Sequence, residues 1–142
     1  MAFIADLPQP VQDALDRDLT IDIVTRGART GLMRTTEIWY TRVADRIIIC
    51  GTPAAGGTTG IYAPRNWLAN LKAHPDFWFC LKESIQFAIF ATARVVTDPA
   101  DRRVVMSAPG TRWYREQVPD FEFLVRTAPI VEVFFTPLHQ TG

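Results

Sequence analysis

Net charge of either sign is missing: 15 Lys and Arg stand against 15 Asp and Glu. Nucleic acid or an anionic membrane surface is therefore not an expected partner by bulk attraction. Histidine is scarce, with His74 at a predicted helix end and His139 near the C-terminus. Neither is placed as a catalytic base, and His74 reads as a helix-terminal residue set against the dipole. Ser84 and Ser107 have no histidine near them in sequence, so no nucleophile–base constellation emerges. Cysteine is confined to Cys50 and Cys80, each inside an apolar run without a CxxC spacing or clustered His. Both read as buried free thiols, and no metal site is expected. Long hydrophobic runs are absent too: Phe77 to Leu81 is far too short to cross a bilayer. Met1-Ala2-Phe3 opens without the basic and apolar stretches of a signal peptide, so a cytoplasmic location with no integral membrane segment is expected.

What is present suffices for one core. The 142 residues, 48% of them hydrophobic, are expected to form one domain over 1–142, with 1–6 and 136–142 frayed. Leu7 to Asp18 has helical spacing at Val11, Ala14 and Leu15. Leu19 to Thr25 alternates with Ile21, Ile23 and Thr25 on one face and reads as a strand. A turn at Gly27 to Gly31 leads into a second strand, Met33 to Val43. A third, Ile47 to Cys50, is apolar on both faces and so expected to be central. After a glycine-rich stretch, Pro64 to Lys72 reads as a helix with Trp67, Leu68 and Leu71 inward, stopped by His74-Pro75. Strands follow at Phe77 to Lys82 and Ile85 to Thr97. Asp98 is placed as a helix cap with Pro99 in the first turn, opening a helical region to about Val125. Pro129 to Phe135 closes as a strand. The order implies the α+β class: a small barrel of about six mostly antiparallel strands with flanking helices.

Binding features outnumber catalytic ones, which points to chemistry brought by a cofactor. Arg26, Arg29 and Arg34 fall within nine residues with no acid between them, around a turn rich in backbone N–H groups. Such a turn suits a phosphate-bearing ligand, or else is a hairpin with solvated arginines. Gly51, Gly56, Gly57 and Gly60 are separated by small residues and run toward a helix start. They suit close approach of backbone to an anion, or else a surface loop. Among the aromatic residues, Trp78 between Phe77 and Phe79 is expected in the core, although the run is apolar on both faces and one face is free to meet a second subunit. Trp113 and Tyr114, among Arg112, Arg115 and Glu116, are harder to bury and are expected to wall a pocket.

Three segments carry a resemblance. Thr25-Arg26-Gly27-Ala28-Arg29-Thr30-Gly31 with Arg34-Thr35-Thr36, the helix Asn66-Trp67-Leu68-Ala69-Asn70-Leu71-Lys72-Ala73-His74-Pro75, and Ala128-Pro129-Ile130-Val131 together resemble the deazaflavin-dependent nitroreductase family. That family is a branch of the pyridoxamine-phosphate-oxidase-like, FMN-binding split β-barrel superfamily. The resemblance implies a split β-barrel and a homodimer that binds the deazaflavin coenzyme (F-420) or FMN. It also implies hydride transfer to a small planar electron acceptor: a quinone, nitro compound or enone. Arg34, Thr35, Thr36, Gly51, Thr52, Gly56, Gly57, Arg65, Trp67 and Asn70 would then hold the cofactor, with Trp39, Trp113 and Tyr114 in the substrate pocket. Thr52 and Pro53 stand near the position where the family has Lys or Ser-Lys, and Arg65 is the candidate replacement. The alternative reading is a non-catalytic split-barrel dimer that binds a cofactor or senses redox state.

Overall fold

A computed structural model describes residues 3–53 and 66–137. Alternation builds β1 (Thr20–Arg26), where Ile21, Ile23 and Thr25 are all fully buried as the sequence predicts. The turn after it is shaped by Gly31, at φ +70°, and by Gly27, whose Cβ would stand 2.7 Å from the Thr30 hydroxyl. The chain then returns as β2 (Met33–Trp39), antiparallel to β1 over its whole length.

One strand was expected from Met33 to Val43, but two form: β2 and β3 (Thr41–Val43), parted at Tyr40. The cause is a tertiary contact. Tyr40 is buried, and its hydroxyl donates a 2.8 Å hydrogen bond to the Leu15 carbonyl near the end of α1 (Gln9–Arg17). Burial, with the carboxylates of Asp18 and Glu83 nearby, holds this phenol above its ordinary pKa. The sheet therefore has seven strands rather than about six, all neighbours antiparallel, in the order β2-β1-β5-β6-β7-β4-β3. Its remaining members are β4 (Arg46–Cys50), β5 (Asp76–Leu81), β6 (Phe87–Val95) and β7 (Ile130–Phe135). Since β2 and β3 are successive stretches of one chain segment, the sheet curls back toward itself, and the expected split β-barrel architecture of the α+β class is what forms.

Helices pack against the barrel interior and against the outer face of β4. α2 (Asn66–Ala73) packs Trp67 and Leu71 against the barrel interior and ends with the His74 N–H on the Asn70 carbonyl at 2.7 Å. α3 (Pro99–Ser107) starts as predicted, with the Asp98 carboxylate accepting from the Asp101 N–H and Pro99 in the first turn. The helical region is broken at Pro109-Gly110 and again at Pro119, giving α4 (Arg112–Gln117) and α5 (Phe121–Thr127), the last capped by Asp120. Arg102 ties this layer together by donating to the carbonyls of Val96, Val125 and Ala128.

Three expectations are corrected. Trp78 is not core: strand alternation buries Phe77, Phe79 and Leu81 and turns Trp78 outward, 42% exposed. Cys80 shares that outer face and is only half-buried, whereas Cys50 is buried; both thiols are free. At the N-terminus Ile4–Asp6 forms a helical turn where fraying was expected. Among the described residues no helix is long and apolar enough to cross a membrane.

Candidate cofactor and acceptor cleft

β2 has a hydrogen-bonded neighbour on one side only, and its second half lines a cleft of about 350 Å³. Thr36, Glu37, Ile38 and Trp39 form one wall, and Cys50, Gly51 and Thr52 at the end of β4 form another. Trp67 from the first turn of α2, with Trp113 and Tyr114 from α4, completes the lining. Strand pairing explains the first wall. Thr25, Ile23 and Ile21 stand opposite Arg34, Thr36 and Ile38, so these six share the inward face. Thr35 and Glu37 point the other way. Although Glu37 borders the cleft, its carboxylate pairs with Lys82, which also reaches Asp22 at 2.9 Å, so this acid is neutralised.

The aromatic wall is held by the helix that carries it. Arg115 donates to the Met106 and Ala108 carbonyls at 2.7 and 2.8 Å, which fixes α4 to the end of α3. Gly110 lies so close to β3 that a Cβ there would overlap the Thr41 hydroxyl. Tyr114 is buried and donates to the Cys50 carbonyl at 3.1 Å, bridging α4 to β4. Trp113 stands edge-on to Trp39 and to Tyr114, with ring centroids 5.4 and 5.2 Å apart. Trp39 and Trp113 remain 48% and 40% exposed. Burial pushes the Cys50 thiol up to about 12, so it is protonated and inert at neutral pH.

Of the sequence-predicted site residues, Thr36, Gly51, Thr52, Trp67, Trp39, Trp113 and Tyr114 come together in this one cleft. Arg34 lies two residues along β2 on the same face and is exposed, at the margin, while Thr35 faces away. Asn70 was expected beside the cofactor but does not line the cleft. Its side-chain oxygen accepts from the Ala28 N–H at 2.9 Å and its amide donates to the Thr25 hydroxyl at 3.3 Å, fastening α2 to the arginine turn. Gly56, Gly57 and Arg65 lie outside the described residues. Ile38 and Cys50 were missed. Alternation from Thr36 would have found the first, and adjacency to Gly51 the second.

The cleft offers hydroxyls, indole faces and one protonated thiol, with no histidine among the described residues that line it. Among the described residues no group of His, Cys, Asp and Glu could hold a metal ion. Arg26, Arg29 and Arg34 are all exposed and pair with no carboxylate among the described residues. Planar walls beside unneutralised cations suit a ring system with an anionic tail.

The profile of a family described as F420H(2)-dependent quinone reductase matches residues 11–118. No functionally curated protein matches. Among solved structures, an F420 reductase superposes with a TM-score of 0.63 at 15% identity, covering 92% of this chain and 96% of its own. The heme storage protein HutZ of Vibrio cholerae gives 0.60 at 12% identity, covering 93% and 91%. A protein described as a domain-swapped dimer gives 0.54 at 16% identity, covering 81% and 79%. At these identities the likeness is one of fold.

Proposed function

The chain belongs to the F420H(2)-dependent quinone reductase family, and from that premise we propose that its cleft binds the reduced deazaflavin coenzyme and reduces a quinone. The observation that carries the reading is the convergence of Thr36, Gly51, Thr52, Trp67 and Trp113 on one cleft, two residues along β2 from the exposed Arg34. The donor set fits the coenzyme. Arg34, with Arg26 and Arg29 around the turn, would hold the phosphate and acidic tail, and charge-assisted contacts of this kind are the stronger ones. The Gly51 and Thr52 backbone would approach the phosphate from the other wall, aided by Gly56, Gly57 and Arg65. Trp67 and Thr36 would seat the ring, while Trp39 and Trp113 would keep water from its outer face.

When bound, the reduced deazaflavin supplies a hydride that, with one proton, turns a quinone into its hydroquinone. Nitro compounds and enones ask for the same two-electron reduction of a planar conjugated group and fall in the proposed range. FMN has a similar phosphate-and-ring outline and is the competing ligand. A non-catalytic cofactor-binding or redox-sensing dimer is the second reading, favoured by Thr52 and Pro53 near the position where resemblance leads one to expect a lysine.

The assembly proposed is a cytoplasmic homodimer of one-domain chains. Trp78 and Phe90 are 42% and 38% exposed and meet edge to face at 5.0 Å on the outer face of β5 and β6, beside Val24 of β1. An apolar face of this kind suits a two-fold contact with a second copy. Light scattering should give twice the chain mass at micromolar concentration, and Trp78→Arg should halve it. A wild-type monomer would remove the dimer.

The functional test is coenzyme reoxidation. Purified protein is mixed with reduced F-420 and menadione, and the return of coenzyme absorbance is followed against reduced FMN. Turnover with F-420 alone supports the proposal. Binding of either cofactor without turnover would favour the second reading, and no binding of either would remove both.

A further inference from the structure

Another cavity, open to solvent and of about 390 Å³, lies between α2, α3 and the end of α5 and shares no lining residue with the cleft. Leu68 and Lys72, one helical turn apart on α2, form part of its wall. Val95 at the end of β6 and Pro129 just before β7 supply further apolar lining. Its charged residues are Lys72, Arg102 and Arg126, and no carboxylate lines it among the described residues.

These cations are not neutralised elsewhere. Lys72 and Arg126 are exposed and form no ion pair with a described residue. The Arg126 guanidinium lies over the Phe123 ring at 5.7 Å. Glu122 feels its charge, but that carboxylate is hydrogen-bonded to Arg103. Arg102 is half-buried, and burial pulls its pKa down with no carboxylate to offset the cost. It donates to the Val96 and Val125 carbonyls at 2.8 and 2.7 Å and to the Ala128 carbonyl. The last two close the end of α5, so that terminus is already satisfied by a cation. Each terminal nitrogen of Arg102 still keeps an N–H without a described partner. A desolvated guanidinium and two further positive charges thus line one space without a counter-charge. An anion there gains charge-assisted hydrogen bonds, and the apolar lining accepts a hydrocarbon body attached to it.

We propose that this cavity binds an amphipathic anion, a carboxylate or phosphate carried on a short hydrocarbon chain. Lys72, Arg102 and Arg126 surround the head group, and Leu68, Val95 and Pro129 cover the chain. The site is independent of the coenzyme: it stands whether or not the cleft binds F-420.

The test follows the methyl resonances of Leu68 and Val95 by NMR in the intact protein during titration with octanoate and, separately, octyl phosphate. Octylammonium and octan-1-ol carry the same chain without a negative charge. At least one of the anions should shift both methyls and bind about tenfold or more tightly than either comparator. Its affinity should fall as salt is raised. The anion that binds more tightly names the head group. Lys72→Gln combined with Arg126→Gln, at exposed positions without ion-pair partners, should weaken that anion about tenfold or more and leave the thermal melt near that of the parent. Arg102 is left in place because it fastens α3 to the end of α5. Equal shifts with octylammonium or octan-1-ol, shifts confined to Ile38 of the cleft, no shift with either anion, or unaltered affinity in the double variant would each overturn the site.

Discussion

The two faces of β4 are packed by different kinds of structure. Ile47 and Ile49 point into the barrel, where they meet Ile21, Ile23, Phe79, Leu81 and Ile89 from strands and Leu15 and Leu71 from helices. Ile48 and Cys50 point the other way, onto Val105, Met106, Tyr114, Leu124 and Val125. The barrel core is drawn from almost the whole chain. Apart from the partners on β3 and β4, the helix-side core comes from one continuous stretch near the C-terminus. The difference separates two tasks: the barrel side fixes β1, β2 and, through α2, the arginine turn, whereas the helix side carries Trp113 and Tyr114. A locally built layer can shift its aromatic wall without the long-range ladder being remade.

The sharpest way to break this comparison is to empty each side in turn. Ile49→Ala and Ile48→Ala should each cost about 2–5 kcal/mol in denaturant unfolding, because both leave cavities at sealed positions. Only Ile48→Ala should also loosen α4, read as faster labelling of Cys50 by a thiol reagent under native conditions. Equal labelling in both variants would mean that the two sides are not separate.

The next effect lies on the coenzyme side. Arg34→Ala should weaken F-420 binding by roughly ten- to a hundredfold at low salt, the scale of about 1.5–3 kcal/mol for a charge-assisted contact. Trp113 fluorescence in the free protein should stay as it is. Tyr114→Phe acts at the seam between the two sides. Loss of its bond to the Cys50 carbonyl should cost about 0.5–1.5 kcal/mol in unfolding free energy. Quinone KM should move more than coenzyme affinity, and the reverse split would place Tyr114 with the barrel side.

The smallest effect belongs to the helix-side surface. Glu122 is held below the usual carboxylate range by hydrogen bonds from Arg103, then by that charge and Arg126. A carboxyl with a lowered folded-state pKa contributes stability above its unfolded pKa and loses it as pH falls through the folded value. Thermal melts of Glu122→Gln and the parent should therefore differ slightly at neutral pH and converge in acid, the pair being solvent-exposed and screened.

Much of the barrel was legible because alternation is local. Ile21, Ile23 and Thr25 announce a buried face, and Asp98 with Pro99 announces a helix start, from the residues themselves. The Tyr40 break was not legible, since it depends on the Leu15 carbonyl of a distant helix. Trp78 was misplaced because composition cannot tell a core run from an alternating strand whose outer face is also apolar. Pro119-Asp120 did carry a signal for the start of α5, a stop followed by a cap, which the reading of one helical region passed over. In the cleft, charged neighbours pointed to Trp113 and Tyr114 as hard to bury, which holds for Trp113 but not for Tyr114, buried by its contact with β4. Asn70 was placed by resemblance, whereas its role comes from tertiary hydrogen bonds to Ala28 and Thr25. The neutralisation of Glu37 by Lys82 required the register of three strands.

The bend at Tyr40 has a bearing on solubility. An open sheet leaves two rows of unpaired N–H and C=O groups, and either can template a strand from another molecule. Here both terminal strands of the sheet, β2 and β3, are consecutive, so closing the gap between them takes only one turn of the chain. A foreign strand pairing at the Trp39 end of β2 would have to displace the Trp39–Trp113 contact. The geometry that leaves a cleft beside β2 thus also shields that end of the sheet from edge-to-edge pairing, and loss of the Tyr40 anchor should raise the tendency to aggregate.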